Sequence, residues 1–147
     1  RPAGAQHLVL LFHGVGSHAS DLLPLGRALA PHMADAVVVS VQAPDAQGSG
    51  RQWFSVQGVT EANRPARVDA TMPRFIQAVR EWQQASGVET ASTTLIGFSQ
   101  GAIMPATTPN RSAGACRGRR PLGDDQVLQL AMCARPRSRR AQSGARA

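Results

Sequence analysis

The amino-acid sequence predicts an α/β fold, with a parallel β-sheet covered by helices on both faces. Three short apolar runs, each too short for most helices, alternate with segments of helical periodicity. Strands that alternate with helices imply right-handed crossovers between parallel neighbours. The length of 147 residues suits one ordinary domain.

The three apolar runs have the composition of buried strands. They occupy residues 8–12, 36–41 and 93–98. Continuous apolar runs of this length are typical of parallel strands that are buried on both faces. The second run is also rich in β-branched residues, which favour strands.

Two helices are predicted between these strands. The first begins at Ser20 or Asp21, either of which can cap it, and ends near His32. The second spans residues 66–86, where an apolar stripe recurs at helical spacing and the arginines lie off the stripe. Gly87 is well placed to end this helix in the left-handed conformation.

The charge is distributed unevenly along the chain. The formal net charge is +7, yet residues 1–104 carry seven arginines and seven acidic residues and are neutral. Residues 105–147 carry nine arginines against Asp124 and Asp125, and so hold all of the excess. We therefore divide the chain into residues 1–104, part of a folded domain, and a basic tail of residues 105–147.

Composition excludes several classes of protein. No apolar run approaches the length of a transmembrane helix. Cys116 and Cys133 both lie in the tail, and two cysteines form neither a disulfide framework nor a four-ligand zinc site. The sequence begins at Arg1 without the pattern of a signal peptide, and we expect a cytoplasmic protein.

The motif Gly97-Phe98-Ser99-Gln100-Gly101 directly follows the third predicted strand. It matches G-x-S-x-G, a sharp turn between a strand and a helix that presents a nucleophilic serine above a sheet. The small residues on either side of the serine let the two backbone segments pass closely. Ser99 is therefore the candidate nucleophile, and the backbone N–H of Gln100 is a candidate donor to an oxyanion.

A second glycine-rich turn, His13-Gly14-Val15-Gly16, follows the first predicted strand. An acyl-transfer site needs two N–H donors, and we expect the Val15 N–H to be the second. We expect His13 to order this turn by hydrogen bonding rather than to act as a base. With Ala19, the turn also matches the dinucleotide fingerprint G-x-G-x-x-G/A, although no acidic residue ends the second strand to hold a ribose.

Three motifs resemble the bacterial phospholipase/carboxylesterase family of α/β-hydrolases, which is related to acyl-protein thioesterases. In chain order they are Leu11-Phe12-His13-Gly14-Val15-Gly16, Arg51-Gln52-Trp53-Phe54 and Gly97-Phe98-Ser99-Gln100-Gly101-Ala102. Residues 50–58 resemble the small bacterial esterase branch of that family. The resemblance covers about residues 7–104, and it implies a partial α/β-hydrolase fold that holds the N-terminal half of the parallel sheet.

The resemblance also implies an activity and a site. The activity is that of a serine carboxylesterase or thioesterase acting on short acyl esters, with no cofactor. We also expect no metal, no nucleic-acid partner and no membrane insertion. The site has Ser99 as nucleophile, the Val15 and Gln100 amides as oxyanion hole, and a loop with Trp53 and Phe54 beside the acyl group. These two aromatic residues could equally anchor their loop to the core. The sequence leaves the oligomeric state open.

The sequence after Ser99 lacks the rest of a catalytic triad. On this fold an acid and then a histidine follow the serine, but all four histidines occur by residue 32. The acids that follow are only Asp124 and Asp125, so we expect hydrolysis by this chain to be impaired. Two alternative functions stay open, a dinucleotide-binding oxidoreductase fragment and a basic protein that binds nucleic acid through its tail.

The tail itself has three interpretations. It is a disordered basic arm for nucleic acid or anionic membrane, a natural linker, or the product of a reading-frame shift after about Met104. We favour the frameshift, because a gene that uses arginine and never lysine is GC-rich. Out-of-frame GC-rich codons yield the Ala, Arg, Pro, Gly and Ser that dominate residues 105–147.

Overall fold

The computed structural model describes residues 4–108, and the predicted character of the tail beyond residue 108 lies outside them. The strands are β1 (His7–Phe12), β2 (Ala36–Val41), β3 (Asp45–Gln47), β4 (Gly50–Gln52) and β5 (Thr93–Gly97). The helices are α1 (Leu23–Leu29), α2 (Arg64–Ser86) and α3 (Gln100–Thr107). Short 3-10 helices occur at Ala19–Leu22, Ala30–His32 and Thr90–Ser92.

A parallel sheet with the order β2-β1-β5 forms the centre of the described structure. Strand β1 is completely buried from Leu8 to Phe12. Its alternate residues Leu8, Leu10 and Phe12 pack towards α2, and Val9 and Leu11 pack towards α1. Helices therefore cover both faces, which confirms the predicted α/β class and explains why this strand has no polar face.

The predicted elements are confirmed with small shifts at their ends. The second strand has the predicted bounds, whereas the first begins one residue earlier and the third ends one residue earlier. Helix α2 begins two residues before the predicted start, continues through Pro73 and ends at Ser86, and the residue that caps it, Gly87, has a φ of 71°. Thus the left-handed glycine predicted at this helix end is present.

The first predicted helix is wrong as a single element. Instead, a 3-10 helix precedes α1 and another follows it, so that the segment forms three short pieces. Pro24 lies in the first turn of α1, and Pro31 lies in the first turn of the second 3-10 helix. Because proline has no N–H to donate, each one starts a new piece more readily than it continues the previous one.

Residues 42–65, whose sequence shows neither the periodicity of a helix nor that of a strand, contain the antiparallel hairpin of β3 and β4. Each strand of the hairpin has only three residues, too few to show an alternating pattern. Within residues 4–108, no helix is long and apolar enough to cross a bilayer.

Candidate active site

Ser99 occupies a strained turn between β5 and α3. Among the described residues it is the one non-glycine residue with a positive φ, at 50° with a ψ of −121°. The turn is tight, because a Cβ atom at Gly97 would collide with the Gly101 carbonyl, and one at Gly101 would collide with the Phe12 carbonyl. Such a conformation costs about 1–3 kcal/mol. It leaves Ser99 exposed at the carboxyl edge of the sheet.

The turn after β1 lies directly against Ser99. A Cβ atom placed on Gly14 would be 3.3 Å from the Ser99 Cβ, so a side chain here would crowd the serine. Within residues 4–108, neither the Val15 N–H nor the Gln100 N–H donates a hydrogen bond. The structure thus brings the two predicted turns together, with an unused backbone donor in each.

Strand β4 holds the turn after β1 in place. The Gly16 N–H donates to the Arg51 carbonyl at 2.8 Å, and the Arg51 N–H donates to the Ser17 carbonyl at 3.0 Å. The backbones touch at Gly50, where a Cβ atom would collide with the Gly16 carbonyl. The motif that begins at Arg51 therefore contacts the glycine-rich turn through its backbone.

The Gln100 side chain connects α3 to the segment after β4. Its Oε1 accepts a hydrogen bond from the Trp53 N–H, and its Nε2 donates to the Phe54 carbonyl, both at 2.7 Å. Gln100 is only 3% exposed, so no water competes for these bonds. Sequence reasoning missed this role, since the partners lie 46 and 47 residues away and no local pattern links them.

Trp53 and Phe54 are both buried, with exposed fractions of 1% and 6%. The Trp53 ring packs edge-on against Phe12 and Phe75, with ring centroids 5.9 and 5.1 Å apart. Of the two interpretations of these aromatic residues, this packing supports the anchor for the loop. Trp53 also lines a cavity of about 380 Å³ between residues 42–44 and α2, and Ser99 does not reach it.

Two histidines, His13 and His18, follow β1 closely, and each uses both ring nitrogens. The His13 Nε2 accepts a hydrogen bond from the Ala43 N–H at 3.1 Å, so its Nδ1 carries the proton and donates to the Gly14 carbonyl at 2.8 Å. The His18 ring bonds to the Ser49 carbonyl and to Gln42. His13 therefore orders the turn, as predicted, and neither ring has a nitrogen left to accept the Ser99 proton.

Asp21 fixes the segment that follows the glycine-rich turn. The Ser17 hydroxyl donates to its carboxylate at 2.5 Å, and the His18 N–H donates at 2.8 Å. These bonds stabilise the ionised carboxylate, and they lower the pKa of Asp21, the Ser17 hydroxyl most of all. In the part of the chain that the structure describes, no three His, Cys, Asp or Glu side chains are grouped to hold a metal ion.

Comparison with known proteins is consistent with this geometry. Residues 2–117 match the phospholipase/carboxylesterase family. The chain is 59% identical over 102 residues to Esterase YpfH of Escherichia coli strain K12, a match that covers 68% of this chain and 44% of that protein. These similarities do not favour the dinucleotide-binding or nucleic-acid-binding alternatives.

Two crystal structures are also similar. Esterase PE8 matches 74% of this chain with a TM-score of 0.66 and 32% identity, and the match covers 53% of that protein. A carboxylesterase from Mesorhizobium loti matches 76% with a TM-score of 0.59 and 25% identity, and the match covers 51%. The chain thus spans about half the length of these relatives.

Proposed function

Since the chain belongs to the phospholipase/carboxylesterase family, we propose that its site is built to cleave carboxylic esters or thioesters of short acyl groups. The Ser99 oxygen attacks the carbonyl carbon, and the bond to the alcohol or thiol then breaks. Water releases the acid from the acyl-serine and restores the hydroxyl. The observation that carries this proposal is the positive φ of Ser99 at an exposed, tight turn between β5 and α3.

The Val15 and Gln100 amides are the proposed oxyanion hole. Both are free of acceptors within the described residues, and Gln100 begins a helix whose first N–H groups carry a partial positive charge. One donor comes from the turn after β1 and the other from the residue after the nucleophile, the usual arrangement on this fold. A single donor of this kind is worth about 3–4 kcal/mol in the transition state.

The proposed acyl site lies beside the loop that carries Trp53 and Phe54. The side chain of Gln100, the residue that directly follows the nucleophile, binds the backbone of both aromatic residues and so keeps this loop beside the serine turn. The proposed reaction needs neither cofactor nor metal, and its substrate is a small ester or thioester in the cytoplasm.

The proposal includes an impaired proton transfer. The ring nitrogens of His13 and His18 are occupied, and no histidine follows Ser99 in the sequence. Without a base the serine hydroxyl is a weak nucleophile, so this chain is expected to turn over a p-nitrophenyl ester at a rate near background.

Chemical rescue with imidazole tests the nucleophile and the missing base separately. Purified chain and a Ser99→Ala variant are incubated with a small fluorophosphonate, with and without imidazole, and the adduct is located by peptide mass spectrometry. We expect slow labelling of Ser99 that imidazole accelerates, and no adduct in the variant. No adduct on Ser99 under any condition would refute the nucleophile, and fast labelling without imidazole would refute the missing base.

A further inference from the structure

We propose that the Gln100 side chain is a positioning residue that sets the spacing between the two oxyanion donors. The inference rests on the proposed function, but it concerns a different part of Gln100. The backbone N–H of this residue is the proposed donor, whereas its side-chain amide binds the segment after β4. Side-chain substitutions therefore leave the backbone donor itself intact.

A continuous series of short contacts joins the two donors. From Gln100 it passes to the backbone of Trp53 and Phe54, which directly follow β4. Strand β4 then pairs with the glycine-rich turn through two hydrogen bonds between Arg51 and residues 16 and 17. Val15 lies in that turn next to Gly14, and Gly14 lies against Ser99, so the series closes on the nucleophile.

A few contacts outside the hairpin hold it in position, among them a hydrogen bond between the His18 ring and the Ser49 carbonyl. Its two strands have three residues each and pair only with one another, apart from the single bridge of Arg51 to Ser17. An isolated two-stranded hairpin is marginally stable at best. At the end formed by Asp45 and Gln52, Arg74 of α2 pairs with Asp45, but this ion pair is exposed and contributes little. The buried links at this end are the Gln100 amide and the Trp53 ring.

The amide of Gln100 suits both of its partners whatever the pH. One atom must accept from the Trp53 N–H and the other must donate to the Phe54 carbonyl. An ionised carboxylate has the same shape but donates nothing, so it would face the Phe54 carbonyl with a second acceptor. A protonated carboxyl group regains a donor, which makes Gln100→Glu a variant whose defect reverses on acidification.

Hydrogen exchange of the full chain tests the proposal through the Gly16 N–H, which bonds to the Arg51 carbonyl and not to the substituted side chain. In Gln100→Glu at alkaline pH, we expect the protection of the Gly16 and Trp53 amides to fall about tenfold or more. An unsatisfied buried polar group lowers the free energy of local opening by an amount that corresponds to such a factor. Amides of the β1–β2 ladder keep their protection. At acidic pH the protection of Gly16 returns.

The matched control is Gln83→Glu, which removes an amide contact to Thr93 at the other end of β5. It should leave the Gly16 amide unchanged at both pH values. Gln100→Ala should lose the same protection without any dependence on pH, which covers the case in which the glutamate variant fails to fold. Unchanged protection of Gly16 in both Gln100 variants, or equal loss across the β1–β2 ladder, would overturn the proposal.

The exchange experiment needs no chemistry at Ser99, so its result is separate from that of the labelling experiment. Protection of Gly16 that depends on Gln100 supports the positioning role whatever Ser99 does. If Ser99 is labelled in the presence of imidazole, Gln100→Glu should slow that labelling at alkaline pH and not at acidic pH, relative to the parent chain. Equal labelling rates at alkaline pH would show that the spacing of the donors does not depend on this side chain.

Discussion

The central strand β1 and the layer of turns above the sheet are held by different forces. Residues Leu8 to Phe12 are buried among apolar side chains on two faces, and their stabilisation is roughly proportional to the buried area. The layer above consists of the glycine-rich turn, the hairpin and the serine turn. It is held by individual hydrogen bonds, by the ion pair of Asp45 with Arg74, and by positions where only glycine fits.

Because of this difference, we expect the core to determine the stability of the chain and the layer of turns to determine the geometry of the site. Many residues contribute to the stability of the core, so small changes of side-chain volume there lower the free energy of unfolding gradually. In the layer of turns, one side chain such as Gln100 or His13 satisfies two backbone partners at once. A change there is expected to move the site before it unfolds the chain.

The largest effect is expected from Phe12→Ala. Phe12 is fully buried, and its ring packs against Trp53 and Phe75, so its loss removes the contact between the sheet, the segment after β4 and α2. We expect a loss of about 3–5 kcal/mol in the free energy of unfolding, measured by urea denaturation. The control Leu23→Ala removes an apolar side chain that is 46% exposed, and should stay within about 0.5 kcal/mol. Similar losses in both variants would contradict the central place of β1.

Gly101→Ala tests whether the serine turn tolerates a methyl group. The added Cβ would collide with the Phe12 and His13 carbonyls, and neither backbone can move without disturbing β1. We expect a loss of about 1–3 kcal/mol, with a changed environment at Ser99. Gly26→Ala is the control, because its Cβ would make ordinary contacts at 3.6 Å inside α1 and should stabilise by up to about 1 kcal/mol. Thermal unfolding of the two variants should therefore shift in opposite directions.

The core and the serine could be predicted from the sequence because both leave local patterns. The apolar runs specified β1, β2 and β5, and the glycines around Ser99 specified the tight turn. The hairpin and the Gln100 contacts could not be predicted in this way. Strands of three residues have no measurable period, and a hydrogen bond across 46 residues depends on the finished fold. The chemical roles assigned to Ser99, Val15, Trp53 and Phe54 stay predictions.

Ser99→Gly is expected to stabilise the chain while it removes the proposed nucleophile. Glycine adopts the positive φ of this turn without strain, so the substitution recovers part of the backbone strain energy of about 1–3 kcal/mol. Greater freedom of the unfolded chain offsets part of that gain, so we expect a net increase of about 1 kcal/mol. Ser99→Ala keeps the Cβ atom and should show no such increase. A chain that Ser99→Gly destabilises would mean that the serine is not strained.

The smallest effect is expected from Asp21→Asn, which tests the polar contacts beside the glycine-rich turn. Hydrogen bonds from Ser17 and His18 hold the pKa of Asp21 below its usual value in the folded chain. The ionised group therefore contributes stability above the pKa that it has in the unfolded chain, and the contribution disappears as the pH falls through the lower folded value.

Accordingly, the melting temperature of Asp21→Asn should lie slightly below that of the parent chain at neutral pH, and the two should converge in acid. Ser17→Ala removes the strongest of the hydrogen bonds and should reproduce most of the difference. Asp21 is exposed, so the effect should also shrink in high salt. A difference that grew as the pH fell would have the wrong sign for a carboxylate stabilised in its ionised form, and would show that the Ser17 and His18 contacts do not hold this turn.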